Sequence, residues 1–288
     1  GKDPATLTTV DVVARCLPAD KAALVTAWRA SGERVAVTGD GVNDAPALKA
    51  AHIGVAMGHK GTEIAKAAAS LVITDDDLGK LVVGIAAGRR IYANIKKAIQ
   101  YIISIHIPII LTVSLPLFLG WIYPHVFTPV HVIFLELIMG PTCSIVYENE
   151  PMEKNTMQRN PRKMTETFLN WKELSISIVQ GLLITLGVLV AYQLTVQNGG
   201  DEGTTRAMVF TTLVFANILL SLVNRSFVYS IFESFKYKNN LFPIIIGATL
   251  VLLFAILYIP LFADFFQVTG LNFQELSIAF LIAAISVL

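Results

Sequence analysis

Residues 38–48 read TGDGVNDAPAL and are entered from RVAV at 34–37. The apolar run up to Asp40 predicts a short buried strand over residues 34–40, and Asp44, Ala45 and Pro46 predict a helix start with proline in its first turn. Working outward, a second strand is expected over 53–57, a helix over 62–69 and a third strand over 71–74. Strands alternating with helices define an α/β half domain with a parallel sheet, whose ligands bind beyond the carboxyl ends of the strands. Asp40 falls at such an end.

The residue types at this spacing suit phosphate and magnesium. Asp40 and Asp44 are hard oxygen donors close together, and magnesium takes one or two carboxylates while keeping water and phosphate oxygens in its shell. Gly39 and Gly41 let backbone approach a phosphate, with Thr38 beside them, and Asn43 can donate to phosphate oxygens. Lys21, in LPADK at 17–21, is the candidate point charge for the phosphate. A solvated loop with an Asx-type turn is the alternative for a lone GDG; eleven matching residues argue against it.

Beyond residue 90 the chain changes character. The 288 residues are 54% hydrophobic and 15% charged, with a mean hydropathy of +0.63, so most of the chain belongs in lipid. Net charge is +1, which gives no basic excess for nucleic acid. Residues 1–90 form the α/β segment and 91–288 an all-α transmembrane bundle, with six spans expected at about 97–120, 126–148, 173–196, 207–224, 241–263 and 274–288. The last is short for a crossing. Taking the α/β segment as cytoplasmic, the inner loops hold Lys154, Arg159, Arg162, Lys163, Lys172, Arg225, Lys236 and Lys238, whereas the outer loops offer Arg206 against Asp201, Glu202, Asp264 and Glu275. That is the positive-inside pattern, with both chain ends inside. The first ten residues have no signal pattern. Cys16 and Cys143 lie in different surroundings, which argues against a disulfide and for two small buried hydrophobes.

Within the spans, His106 lies roughly 10 Å deep and Glu136 about 15 Å from the outer face, so the two meet near mid-membrane, and Asn217 reaches a similar depth with Ser221 and Asn224 continuing its stripe. A carboxylate at that depth is a functional-site candidate by default. Pro141 cannot donate to Leu137, nor Pro108 to Ser104, and the expected broken helices would offer carbonyl oxygens to an ion. Packing kinks are the other explanation. His106 can be a soft-metal ligand, a proton carrier or an interior histidine. Tyr147, Glu148, Asn149 and Glu150 read as an acidic exit or as a solvated helix end. Trp121, Tyr123 and Trp171 read as interfacial belt residues.

TGDGVNDAPAL, preceded by LPADK and followed by IGVAMG, GTEIAKAAASLVITDDDL and AGRRIYANIKKAIQYIIS, resembles the distal phosphorylation domain and first following span of P-type ATPases, most closely the calcium-type cation pumps. The resemblance covers nearly the whole chain. It implies a haloacid-dehalogenase-like fold, magnesium on Asp40, phosphoryl neutralisation by Lys21, and ordering of the site by Asn43 and Asp44. It further implies ATP as the substrate of an intact pump, a transported cation, a multi-pass protein of the cell membrane, and an aspartyl phosphate. No DKTG, the family's phosphorylated motif, and no TGE, its actuator motif, is present in the sequence, so the chain is expected to be the carboxyl-terminal part of a pump, to lack the amino-terminal partner segments, and to be inactive alone. The family's calcium pumps have asparagine at the positions of His106 and Glu136, an acid at Ile109, and a Thr-Asp pair at Met139 and Gly140; a two-calcium site is therefore not expected here, while one calcium stays open. Two other functions also stay open. One is a non-enzymatic membrane module that binds a cation or regulates a pump; the other is an anchored phosphatase, which leaves Glu136 without purpose.

Overall fold

The computed structural model describes residues 12–162, 166–225 and 239–288, apart from the Cys143 side chain. Lys163, Lys236, Lys238, the Cys143 side chain and the first ten residues, all used above, lie outside the described set. Two compact units divide between Ala86 and Ala87.

The first unit holds helix α1 (Pro18–Ala30), strand β1 (Ala36–Gly39), a 3-10 turn (Val42–Asp44), α2 (Ala45–Ala50), β2 (Ile53–Met57), α3 (Glu63–Ala68) and β3 (Leu71–Ile73). All three strands are parallel in the order β1-β2-β3, with Thr38 opposite Val55 and Ala56 opposite Val72. Helix starts follow local chemistry: Thr62 caps α3 by accepting from the Ala65 N–H, and Pro46 stands in the first turn of α2, where a missing N–H costs nothing. Two small apolar clusters share α2, with Ala47 packed against Val25 and Val35, and Leu48 against Ala56 and Ala65. The α2–β2 approach is close, since a Cβ on Gly54 would stand 2.4 Å from the Leu48 carbonyl oxygen. Among the described residues β1 is an edge strand, and the sheet delivers Asp40 to its carboxyl end.

The second unit is helical. Helix α4 (Gly79–Phe118) is a single helix of 40 residues, followed by α5 (Pro129–Pro141) with a π-helical turn (Thr142–Tyr147), α6 (Trp171–Gln197), α7 (Glu202–Val223), α8 (Leu241–Tyr258), α9 (Pro260–Phe266) and α10 (Phe273–Val287). Among the described residues, five helices are long and apolar enough to cross a membrane, and α10 is a shorter apolar helix. At 1.5 Å per residue α4 is about 60 Å long, roughly twice the hydrocarbon thickness, so the span expected from about 97 lies in the later part of a helix that begins at Gly79. Helix α7 begins at Glu202, so Arg206 is not an outer-loop residue. It is 5% exposed, and its guanidinium donates to the carbonyls of His125, Val126 and Gln267 and to Glu202. The expected span over 241–263 is interrupted at Ile259, whose extended backbone precedes Pro260, and α9 ends at Gln267 with φ 53.

Neither proline breaks its helix. Pro108 lies inside the unbroken α4, and Pro141 is followed by a wider π turn in place of unwound backbone, with the Thr142 and Ser144 hydroxyls donating to the carbonyls of Ile138 and Gly140. Removing one donor is absorbed by widening the next turn. Helix α7 forms the centre of the bundle, packed on α6 and α10, while Ile133, Leu137, Leu186 and Val251 point outward as a lipid-facing surface does. Gly181 admits the backbone of α4, since a Cβ there would stand 2.8 Å from the Ser104 carbonyl oxygen.

Candidate functional site

The loop after β1 folds around Asp44. One carboxylate oxygen is 2.7 Å from Lys21 Nζ, and the other accepts the backbone N–H groups of Asp40 and Gly41, each at 3.3 Å. Lys21 sits in the first turns of α1, which brings it across 23 residues of sequence to this loop. The hydrogen bond to Asp44 and the adjacent negative charge raise Lys21 above the ordinary lysine value of 10.5. Burial alone would raise Asp44; the Lys21 hydrogen bond, the Gly41 N–H and the Lys21 charge outweigh it and hold the carboxyl below 3.8.

Asp40 is close by and differently used. Its carboxylate accepts no hydrogen bond among the described residues, and its carbonyl takes the Thr62 N–H at 2.8 Å. Thr38 and Asn43 are exposed. Gly39 is required by Asp44, because a Cβ there would stand 2.5 Å from the Asp44 Cβ, whereas at Gly41 the nearest atom is 3.7 Å away and the backbone stays approachable. Asp76, which sequence reasoning missed, closes the same end of the sheet: at φ 58 it accepts the N–H groups of His59 and Lys60, both at 2.9 Å. Its signal was the ITDDDL run directly after a predicted strand. The loop between β2 and α3 is thereby tied to Asp40 on one side and Asp76 on the other.

This donor set suits a magnesium ion with one protein carboxylate, Asp40, and the rest of its shell from water and phosphate. It is no closed cage, and among the described residues no group of three or more His, Cys, Asp or Glu side chains converges.

In the bundle, His106 Nε2 stands 3.3 Å from Glu136 Oε1, while His106 Nδ1 is 2.8 Å from the Ile102 carbonyl. An imidazole donating from Nδ1 keeps a lone pair on Nε2 when neutral, so the contact with Glu136 requires one further proton, on the ring or on the carboxyl. Both side chains are partly exposed, 38% and 48%, at the outer surface of this set of helices. Asn217 is elsewhere. It is 2% exposed, accepts from the Tyr101 hydroxyl, leaves its amide nitrogen unpaired, and lines a cavity of ≈ 10 Å³ with Thr142, Ser221 and Thr249. Neither His106 nor Glu136 lines that cavity.

Of the residues read as an acidic exit or a solvated helix end, Glu148 and Asn149 are exposed, whereas Glu150 is 3% exposed and holds Arg225 Nε and Asn239 Nδ2, both at 2.8 Å, so Glu150 offers no open charge to an ion. Lys97 is 1% exposed and pairs at 3.0 Å with Glu153, which Arg159 also reaches at 3.1 Å. Trp171 is 84% exposed, whereas Trp121 stacks on Tyr192. His131 is fully buried among Phe127, Phe210 and Phe266, and Thr128 meets its Nδ1 at 2.9 Å.

A parallel α/β unit with a lysine-clamped aspartate loop, followed by a multi-pass helical bundle, defines a haloacid-dehalogenase-like module joined to a membrane transporter domain. The chain belongs to the cation-transporting ATPases: the family model of their C-terminus matches residues 124–288, and that of the haloacid dehalogenase-like hydrolases matches residues 21–79. It is 35% identical over 273 residues to a calcium-transporting ATPase of Listeria monocytogenes, covering 94% of this chain and 30% of that protein. It is 31% identical to calcium-transporting ATPase 1 of Yarrowia lipolytica, covering 94% and 29%, and 29% identical to the human calcium-transporting ATPase type 2C member 1, covering 93% and 29%. The chain thus spans about 30% of the length of these curated relatives. It is a multi-pass membrane protein of the P-type class.

Proposed function

We propose that this chain is the carboxyl-terminal portion of an ATP-driven cation pump that moves a metal cation, calcium being the relatives' namesake, through an aspartyl-phosphate cycle whose nucleophile lies outside residues 1–288. The observation that carries the reading is the loop after β1, where Asp44 is committed to Lys21 and backbone while Asp40 is left for a ligand at the carboxyl end of an edge strand. The open edge of β1 suits one further parallel strand that would bring the nucleophile beside Asp40. Asp40 would hold magnesium, and the metal would neutralise charge on the transferring phosphoryl group. Lys21 supplies a fixed positive charge, Asp44 holds that lysine and the loop, and Gly41, Asn43 and Thr38 line the approach. In the membrane, Glu136 with His106 would meet the transported ion, and Asn217 would contribute only after a rearrangement that turns it out of its own cavity. The α/β unit faces the cytoplasm and the host is the cell membrane, in keeping with Arg159 and Arg162 on the connecting segment before α6 and Lys172 in its first turn.

The test is cation-dependent ATPase activity of the intact pump across calcium, magnesium, manganese, zinc, sodium and pH. Asp40→Asn should abolish phosphoenzyme turnover, and Glu136→Gln should shift or remove the dependence on the transported ion. Full activity in Glu136→Gln excludes it from the path. An acid-stable phosphoenzyme on the 288-residue chain by itself would contradict the placement of the nucleophile.

A further inference from the structure

A cavity of ≈ 830 Å³ in the helical unit opens between α4 and the segment leading into α6. Its wall includes Arg89, Tyr92, Lys96, Arg159, Arg162 and Glu166. Four of those six carry positive charge, and their partners differ in kind. Lys96 meets Glu173 at 2.6 Å. Arg159 and Lys97 share the single carboxylate of Glu153. Among the described residues Arg89 donates only to the carbonyl oxygens of Thr156 and Arg159, at 2.8 and 2.7 Å, and Arg162 donates to the Tyr92 hydroxyl at 2.6 Å with its guanidinium 4.7 Å from the centre of the Tyr92 ring. Both arginines are therefore fixed in place by neutral groups, which orient them without cancelling their charge. Among the described residues Glu166 is the one lining acid, and their charges sum to a net positive wall.

Its level in the bundle is marked on both sides. Along α4 the cavity ends at Lys96, just before the apolar run that begins near Ile99; Asn170, also in the wall, caps α6 immediately before Trp171, which is 84% exposed. A basic cavity beside an exposed tryptophan at the start of a span lies at headgroup depth. Preset guanidinium forks at that depth match phosphate oxygens, which they bind by paired, charge-assisted hydrogen bonds.

We propose that this cavity is a binding site for a phosphate-bearing anion, with Arg162 and Arg89 as its phosphate contacts and an anionic phospholipid headgroup as the occupant its depth favours. Its wall shares no residue with the loop around Asp40 and includes neither His106 nor Glu136. It does not rest on the pump assignment, only on the bundle's lying in a membrane.

The test uses the 288-residue chain in phosphatidylcholine nanodiscs with or without phosphatidylglycerol, reading retained lipid by native mass spectrometry and affinity by titration. Phosphatidylglycerol should be retained in preference to phosphatidylcholine. Arg162→Gln should weaken that retention about tenfold, the loss of one charge-assisted contact, and Arg162→Lys should recover part of it. Lys172→Gln, a basic residue outside the cavity wall, should leave retention unchanged. Glu166→Gln should strengthen retention severalfold and serves if Arg162→Gln disturbs its own segment. Inorganic phosphate or glycerol phosphate that displaces the lipid at millimolar concentration would assign the site to the phosphate group itself, and failure to displace would assign it to the lipid; both support it. Equal retention of the two lipids, equal losses in Arg162→Gln and Lys172→Gln, or no response to Glu166→Gln would overturn it.

Discussion

Replacing Asp44 by asparagine tests the loop with a change of shape too small to matter and a change of chemistry that is large. The carboxylate uses one oxygen for Lys21 at 2.7 Å and the other for the N–H groups of Asp40 and Gly41 at 3.3 Å. Asparagine has one acceptor and one donor. Whichever way the amide is turned, its NH2 faces either the ammonium or the two backbone donors. One set of contacts is lost and replaced by a donor facing donors, which costs about 1–2 kcal/mol, the low end because Lys21 is 42% exposed and screened. In hydrogen exchange of the 288-residue chain, the amides of Asp40 and Gly41 should then exchange roughly 5–30-fold faster, with little change at Val55 and Ala56 in β2. The wild-type protein adds a pH signature. Native Asp44 titrates below 3.8, so its stabilisation is full above that pH and is lost as pH falls through the native value, where the opened loop binds the extra proton. Lys21 titrates above 10.5, so its share is full below that pH and disappears as pH rises through the native value. The gap between wild type and Asp44→Asn should close at both extremes. Unchanged exchange at Asp40 and Gly41, or equal acceleration throughout the sheet, would refute the assignment of Asp44 as the loop's local acceptor.

Gly39→Ala should disturb the same loop, since its Cβ would stand 2.5 Å from the Asp44 Cβ, while Gly41→Ala, with 3.7 Å of clearance, should be tolerated; an overpacking cost of about 1–3 kcal/mol is expected for the first alone, measured as loss of loop protection in hydrogen exchange. Glu150→Ala leaves the buried guanidinium of Arg225 without its carboxylate and should destabilise the bundle by about 3–5 kcal/mol, whereas the double change Glu150→Met with Arg225→Met should recover most of that in reversible unfolding from detergent. Equal losses in the single and double variants would show that packing, not uncompensated charge, is at stake.

The α/β unit was legible because its signals are local. A strand ending at Asp40, a proline-started helix and two further strands each announce themselves within about ten residues, and the parallel order follows from their alternation. Lys21 was readable as a cation for the phosphate, but its contact with Asp44, 23 residues further along the chain, was not. What escaped was anything set by partners far along the chain. Glu150 looked like an exposed helix-end acid; it is buried because Arg225 arrives from 75 residues away and Asn239 from 89. Arg206 looked like a loop residue because charge was taken as the limit of a span, yet it is held by carbonyls 61 to 81 residues distant. Proline was read as a break, but the loss of one donor was absorbed by a π turn after Pro141 and within the unbroken α4 at Pro108.

These departures share a cause that bears on how the bundle is held together. In lipid an unpaired charge is costly wherever it lies, so the residues near a span's end do not stay loose merely because water is close. Lys97 turns inward to Glu153, Arg225 to Glu150, and Asn94 donates to the Glu150 carbonyl. Each joins segments that are not neighbours in sequence, and together they tie the start of α4, the stretch after α5 and the end of α7 into one polar layer. Among the described residues the Glu136 carboxylate has only His106, which itself reaches no further side chain beyond the Ile102 carbonyl. A half-exposed carboxylate contacted by one imidazole is the member of this set whose contacts a metal ion would disturb least, which is why the transport proposal falls on that pair and not on the more deeply buried acids.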